Sequence, residues 1–571
     1  MQTFSSLVAV LAERARSQAN ERAYVFLSDR GTEEAALTFS ELHQKAQAIA
    51  TQLLQEARPG DRALLVFPPG LEFVVAFFGC LIAQVIAVPM MMPRRNSARD
   101  ASAAILANCE PSLALTSSAF ALRQDLQARF QREELRWLAV NLDTGDATEA
   151  QLPQPDPETI AFLQYTSGST SDPKGVAVSH ANLLANLEMI RISFGNTSRS
   201  TFVNWVPLYH DMGLILNTLE PLYVGAACVL MAPNGFMQRP LNWLRAIHQY
   251  RAEVVSTPNF GFDLCVSRYR AEQMADVDLS SWKVAAIGAE PVHSETIKRF
   301  IDTFAAHGFR REAMFPAYGM AEATLLISGG RRGGGHLTRT VSRAALQAHE
   351  VTAPADPEDA QTVVGCGRAL VNEQIAIVDP ETRARLHCDQ VGEVWVNGPN
   401  VARLYWRNEA ATTAELHAHI ASEASDLSWL RTGDLGFLDA DGELFITGRI
   451  KDLIIVRGIN HYPQDIERTV QAVHSALRQN CGAAFSVPGE DGEEMLVIVQ
   501  EIERTERNRI DAAELIGLIR EGVSEQHELF ARHIALIRPG TLPKTTSGKI
   551  QRRLTRTLWL EQRLDDLETT R

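Results

Sequence analysis

Tyr165 to Gly175 reads YTSGSTSDPKG, and the rest of the chain is best understood outward from it. An apolar run, Ile160 to Leu163, precedes it and a helical pattern follows. Small residues let main-chain N–H groups approach a polyphosphate, while the hydroxyls and Lys174 add donors and charge. The stretch therefore reads as a loop that grips nucleotide phosphates, with a flexible surface loop as the plain alternative. It is not a Walker A loop. With Gly168 as the first glycine, Pro173 stands where the second is required, and Gly175 where Ser or Thr must follow the lysine.

On either side, short β-rich runs alternate with helical patterns. ALLVF (63–67), ACVLM (227–231), EVVST (253–257) and VAAIG (284–288) read as buried strands, and Ser179 caps a helix with Leu183, Leu187 and Ile190 on one face. Such alternation predicts a layered α/β architecture. From Gln374 the texture changes: QIAIV and EVWVN read as antiparallel strands of a small β-barrel-like subdomain packed on the α/β layers. GRIKDLIIVRG (448–458) reads as a junction, which divides the chain into a large region, 1–447, and a small mobile α+β region, 448–571. Its elements include MLVIVQ, HIALI and a helix over 511–526. Between Gly329 and Gly365 lies a polar, Gly- and Pro-containing stretch that by itself reads as a surface loop.

Composition narrows the function. The chain has 571 residues, 45% hydrophobic and 22% charged, as an ordinary globular protein has. A net charge of −14 argues against general binding to nucleic acid or to an anionic membrane surface. Seven scattered cysteines, with no CxxC pair, fit a reduced cytoplasmic protein. The N-terminus, MQTFSSLVAVLAERARSQ, reads as an amphipathic helix and not as a signal peptide. Phe73 to Met92 approaches membrane-spanning length, but Gly79, Gln84 and Pro89 interrupt it, so a buried helix leading into a core strand is expected.

Three further constellations carry chemistry. In AYGMAEAT (317–324), Tyr318 suits an adenine face and Glu322 suits Mg²⁺ at phosphates; the plain reading is a structural turn. In RTGDLG (431–436), Asp434 suits both hydroxyls of a ribose, with Arg449 as a further contact; the plain readings are an Asx-turn and a surface ion pair. In LPKTTSGKIQRR (542–553), Lys549 is a compact charge on a loop, suited to meeting charge that builds as a carboxylate attacks a phosphate; the plain reading is a solvated basic cluster. VGCGRAL fails the dinucleotide fingerprint at Leu370, His387–Cys388 lacks a second ligand pair, and no GxSxG elbow occurs.

Taken together and in this order, YTSGSTSDPKG, AYGMAEAT, RTGDLG, GRIKD and PKTTSGK resemble the adenylate-forming enzymes: acyl-CoA synthetases, peptide-synthetase adenylation domains and luciferases. The resemblance covers about residues 10 to 560. NWVPLYHDMGLI (204–215), TPNFGFDLC (257–265), GAEPV (288–292), LLISGG (325–330) and GINHYPQDIE (458–467) are similar to the fatty acyl-AMP ligase branch. That branch carries an insertion that packs on the large domain and disfavours free CoA, and it falls here at about 333–363.

The resemblance implies that Thr166, Ser167, Gly168, Ser169, Thr170 and Lys174 form the phosphate loop of an ATP site. It implies that Glu322 holds Mg²⁺, and that Gly288, Ala289, Glu290, Ala317, Tyr318, Gly319 and Met320 cradle adenine. Asp434 and Arg449 would bind ribose, Lys549 would be the adenylation lysine and Lys451 the hinge. His210, Pro258, Asn259 and Phe260 would line the acyl tunnel, His210 close to the chemistry. The implied reaction joins a fatty acid to AMP and then passes the acyl group to the phosphopantetheine thiol of a separate acyl carrier protein, whose acidic surface Arg552, Arg553 and Arg556 are expected to meet. The alternatives are a CoA-dependent synthetase and a non-catalytic acyl- or nucleotide-binding protein. An amino-acid adenylation domain fits less well, because TPNFGFDLC lacks the aspartate that pairs with an amino group.

Overall fold

The structure, a computed structural model, describes residues 4–92, 102–121, 130, 135–142, 152–166, 173–421, 423, 427–456, 459–489, 494–506, 510–545, 548–564 and 566–569. Two large sheets dominate them. One has nine strands, in the order 368–369, 326–329, 314–319, 284–287, 254–257, 201–204, 227–231, 22–27 and 33–38; its centre is parallel and its outer pairs are antiparallel. The other has six strands, in the order 136–140, 113–117, 62–66, 86–90, 160–166 and 174–179.

The long apolar run explains how the two sheets meet. Leu71–Ala83 is a helix in which every residue but Glu72 is buried, and it touches strands of both sheets. A helix covered on all sides must be apolar all round, which is what gave this segment its membrane-like sequence. Gln84 ends it in the left-handed conformation, and Ile86–Met90 follows as the expected core strand. No helix among the described residues is long and apolar enough to cross a membrane.

The strands expected at 227–231, 253–257 and 284–288 are present as Ala227–Met231, Val254–Thr257 and Val284–Ile287, and Ser179 caps His180–Phe194 with its hydroxyl accepting from Asn182 N–H. The barrel-like unit is a four-stranded antiparallel sheet, Gln374–Val378, Gly392–Asn397, Leu430–Leu438 and Leu444–Arg449. The described residues from 454 onward build two apolar clusters of their own around a further four-stranded sheet. The helix expected there runs Ala512–His527, capped by Asp511.

The polar stretch before Gly365 is not a loose loop. Thr338–Ser342 and Ala360–Val364 pair antiparallel, with a short helix, Arg343–Gln347, between them. Val341, Leu346, Val351 and Val363 pack against Leu435, Phe437 and Phe445 of the four-stranded sheet and against Tyr462 of the small lobe. Four apolar side chains spaced among many polar ones are too few for a periodic signal, so the sequence alone reads as surface.

His180 ties the first helix to this core: the Leu7 N–H donates to its Nδ1 at 3.3 Å. The ring is therefore neutral, and burial pushes its pKa down to about 4. The unfolded chain takes up a proton below about 6.5 while the folded chain resists until about 4, so stability falls as pH drops through that window. Urea denaturation at pH 7 and pH 4.5 should show about 2 kcal/mol of loss from this site, and His180→Gln should remove that share of the slope. An unchanged slope in the variant would refute the assignment.

Candidate active site

Four neighbouring parallel strands, 201–204, 254–257, 284–287 and 314–319, end on the same edge of the nine-stranded sheet. Their C-terminal ends deliver the segment up to His210, then Pro258–Phe260, Gly288–Glu290 and Ala317–Met320. Open α/β sheets bind ligands at this edge, because the turns leaving the strands diverge there. Gly288 makes the close approach possible: a Cβ on it would stand 2.6 Å from the Ala317 carbonyl oxygen. Ala289 sits at φ +67°, an uncommon conformation for a residue with a Cβ. Asn259 fastens the adjoining turn, donating from Nδ2 to Pro291 O at 2.8 Å and accepting from His293 N–H at 3.1 Å. Glu290 is desolvated, and that burial raises its pKa against the lowering pull of Asn259 and Lys549.

The four-stranded sheet brings Asp434 and Arg449 to this edge as a cross-strand pair. Arg449 Nε donates to Asp434 Oδ1 at 2.6 Å, and the Tyr318 hydroxyl donates to Asp434 Oδ2 at 2.7 Å. Burial, then the Asp434 charge, push the Tyr318 phenol well up, so it stays a proton donor. Three residues far apart in sequence thus form one hydrogen-bonded corner.

Thr166 and Lys174 face each other across the antiparallel strands that flank the expected phosphate loop. Ser167, Gly168, Ser169 and Thr170 lie outside the described residues. Lys174 Nζ donates to both oxygens of Glu415 at 2.6 Å. Glu322 is buried, and its Oε1 accepts from the Tyr405 hydroxyl at 3.0 Å. Burial raises its pKa, offset in part by that hydroxyl.

Lys549 arrives from the small lobe. Gly548, at φ +86°, lies against Phe260; a Cβ there would meet the ring at 2.7 Å. Phe260 in turn stands edge-on to Trp205, which stacks on Phe236 at 3.9 Å. Desolvation lowers the Lys549 pKa; Asp211 pulls it back, Arg449 opposes, and Glu290 and Asp434 add to the pull of Asp211. His210 Nδ1 lies 2.6 Å from Asp211 Oδ1. Burial alone would raise Asp211, but His210, Lys549 and the Met212 N–H outweigh it and hold the carboxyl down to about 2. Asp211 begins a short π-helical segment, Met212–Leu219, a feature frequent at functional sites.

The lobes touch at further points. Asn480 Nδ2 donates to Asp263 Oδ2 at 3.0 Å. The inserted segment joins both sides: Arg343 donates to Gln526 O at 2.9 Å, Gln361 to Asp465 at 2.9 Å, and Asn460 to Gln347 O at 3.1 Å. Lys451 is exposed in a single 3-10 turn, Ile450–Asp452, between the two lobes. Of the three arginines expected to meet a partner, Arg552 is turned into the lobe, while Arg553 and Arg556 stay half-buried. Arg552 grips Glu467 with two hydrogen bonds of 2.7 Å and reaches Asp452 at 3.4 Å; Arg556 donates to Ser486 O, and Arg553 to Lys451 O. Buried ion pairs satisfied within the lobe leave Arg552 no charge to offer outside, so the expected docking patch is not formed by it.

Three residues of this site went unread in the sequence: Asp211, Tyr405 and Glu415. Asp211 had a signal, since it follows His210 within LYHDMG. Tyr405 and Glu415 stand in YWRNEAATTAEL, which has no special spacing; only the fold brings them to Lys174 and Glu322.

Comparison with known proteins gives the family. Residues 11–406 match the model of the AMP-binding enzyme family, and 451–569 match that of the Disco-interacting protein 2-like AMP domain. The chain belongs to the AMP-binding enzyme family. It is 44% identical over 577 residues to the medium-chain-fatty-acid–[acyl-carrier-protein] ligase JamA of Moorena producens, covering 99% of this chain and 97% of that protein. It superposes on the fatty acyl-adenylate ligase of Legionella pneumophila in complex with acyl adenylate and pyrophosphate, with a TM-score of 0.76 and 40% identity over 99% and 98% of the two chains. A structure from work on the fatty acyl-adenylate ligases of E. coli and L. pneumophila gives a TM-score of 0.87 at 32% identity over 98% of each chain.

Asp211 favours the charged form of Lys549. Asp211→Asn should therefore move the alkaline limb of the adenylation pH profile to lower pH, since the lysine then loses its proton sooner. Pyrophosphate release measured from pH 6 to 10 checks this; a limb that stays in place or moves upward contradicts the pairing.

Proposed function

We propose that this protein activates a fatty acid with ATP, forming acyl-AMP and pyrophosphate, and then transfers the acyl group to the phosphopantetheine thiol of an acyl carrier protein. The observation that carries the reading is the packing of Gly548, next to Lys549, on Phe260 at the edge of the parallel strands, where Asp211, Glu290 and the neighbouring sheet's Asp434 act on the lysine's charge. In this reading Tyr318 and the turns at Gly288–Glu290 and Ala317–Met320 hold adenine. Asp434 and Arg449 hold the ribose, and Thr166, Lys174 and the loop between them hold the phosphates. Trp205, Phe236 and Phe260 wall the acyl side near His210, Pro258 and Asn259.

The site suits a magnesium ion as well. Mg²⁺ takes oxygen ligands and is commonly held by one or two carboxylates together with substrate phosphates. Glu322 is a buried carboxylate of that kind, and Glu415 stands on the other side of the Tyr405 hydroxyl. Bound there, the ion supplies positive charge to the phosphate oxygens.

A carboxylate oxygen attacks the α-phosphorus; a new P–O bond forms and the α–β phosphoanhydride bond breaks, releasing pyrophosphate. Like charges must approach, so preorganised positive charge in a poorly hydrated cleft offers the largest gain. Lys549 is that charge, with Asp211, Glu290 and Asp434 favouring its proton against desolvation. Gly548 packs on Phe260, and in this reading that contact would hold the acyl carboxylate in line for attack. In the second step the thiol attacks the acyl carbon and AMP leaves. The small lobe, 448–571, turns about Lys451 against the large one, 1–447, and withdraws Lys549 to admit the thiol.

The inserted segment supports a carrier protein over free CoA as acceptor. Its contacts with Gln526, Asp465 and Asn460 restrain the small lobe, so a bound partner must contribute to releasing it. The cellular setting that fits is cytoplasmic, with all seven cysteines as free thiols.

Lys549→Ala should lower adenylation by about two to four decades, the effect of one preorganised charge worth ~3–5 kcal/mol. Transfer from supplied acyl-AMP should fall far less. Near-normal pyrophosphate release by the variant would reject the role. Wild-type protein offered CoA or a phosphopantetheinylated carrier protein, each with ATP and a fatty acid, should acylate the carrier. Loosening the insertion with Arg343→Ala and Gln361→Ala should raise acylation of CoA severalfold; efficient use of CoA by the wild type would favour the CoA-dependent alternative.

A further inference from the structure

The strand that carries Lys174 has a second neighbour. Ala177 N–H donates to Leu404 O at 3.1 Å, and Trp406 N–H donates to Gly175 O at 2.7 Å, so Tyr405 lies opposite Val176. This places the Lys174 amine 4.8 Å over the Tyr405 ring. Thr412 then turns the chain, its Oγ1 accepting from Tyr405 N–H at 3.0 Å and donating to Asn408 O at 2.8 Å. The short π-helical segment Thr412–Leu416 follows and directs Glu415 back at the same lysine.

The Tyr405 hydroxyl is 3.0 Å from Glu322 Oε1 and 3.0 Å from Glu415 Oε2. A phenol has one proton and serves one carboxylate at a time. While Lys174 holds Glu415, the arrangement balances: the lysine answers one carboxylate and the hydroxyl the other. Take the lysine away, and two carboxylates share a single proton across one oxygen, an arrangement that favours a cation. Phosphates entering beside Lys174 take it away in just this sense.

We propose that Glu415 and Tyr405 are positioning residues that couple nucleotide binding to divalent-cation binding: Glu415 holds Lys174 as a stand-in for phosphate and, once ATP claims the lysine, joins Glu322 in drawing the cation. The proposal rests on the roles of Lys174 and Glu322 given above. It requires free ATP to displace a carboxylate, so metal-free ATP binds weakly. It also requires bound ATP to strengthen cation binding, and the cation to strengthen ATP binding by the same factor.

Calorimetric titration of the full chain with ATP, in EDTA and then in excess Mg²⁺, tests this. Glu415→Gln, which keeps the shape and removes the charge, should bind metal-free ATP about fivefold or more tighter than the wild type, and the gain on adding Mg²⁺ should shrink by a similar factor. Tyr405→Phe, which removes the donor the two carboxylates share but leaves the Lys174–Glu415 pair, should leave metal-free affinity within about twofold. Glu415→Asp, shorter but still charged, should give an intermediate tightening and serves where the Gln variant does not fold. Metal-free ATP binding that is unchanged or weaker in both Glu415 variants, with the Mg²⁺ gain intact, overturns the coupling and leaves the adenylation reading standing. A wild-type chain that binds no ATP in either condition overturns both.

Discussion

A lysine carried by the small lobe into the field of carboxylates on the large one is the constraint on which the rest of this structure turns. Desolvation drives Lys549 toward its neutral form, while Asp211, Glu290 and Asp434 hold its proton. A buried charge is tolerated only where opposite charge and geometry offset lost hydration. The anions come from the large lobe and the cation from the small one, so the balance exists only when the two lobes are closed. Gly548 lies against Phe260 so closely that a Cβ there would meet the ring, which marks a point where the small lobe sits hard on the large one. Substrate phosphates would enter a cleft already shaped around one positive charge.

The large lobe divides the work between two kinds of sheet. Parallel strands give a row of diverging turns on one edge, suited to wrapping a flat, uncharged ring system. The antiparallel sheet gives a rigid cross-strand pair, Asp434 and Arg449, suited to two adjacent hydroxyls. Tyr318 fastens one system to the other through Asp434. The inserted segment adds a third body that hydrogen-bonds to both lobes. Each such bond contributes about 1 kcal/mol net, so several together can hold the closed arrangement, yet a docking partner can release them.

Legibility followed the range of the interaction. Local signals worked: Ser179 capping its helix, Gln84 closing the apolar one, and the core strands at 227–231 and 284–287 are matters of neighbours in sequence. Short motifs also located residues that the fold then brought together, as with Tyr318, Asp434 and Arg449, whose meeting across two sheets no spacing predicts. Residues whose role depends on one long-range partner were silent. Tyr405 and Glu415 look like any tyrosine and glutamate on a polar helix start until a strand pairing sets them beside Lys174. Arg552 failed the opposite way: a basic cluster looks solvent-facing, but Glu467 and Asp452, some 85 and 100 residues earlier, neutralise it inside the lobe.

That neutralisation bears on how the second step begins. Arg552 joins the terminal helix, Arg552–Leu560, to Asp452 in the turn that holds Lys451, and Arg553 reaches the Lys451 carbonyl itself. The helix lies directly after Lys549, so the proposed pivot and Lys549 are held by one short stretch of chain. A rotation about Lys451 that kept these bonds would carry Lys549 with it as part of a rigid lobe. Under the proposed cycle, withdrawal of the lysine and exposure of the opposite face would be one movement, letting a single site meet two opposed needs: a cation to bring two anions together, and an open path for a neutral thiol.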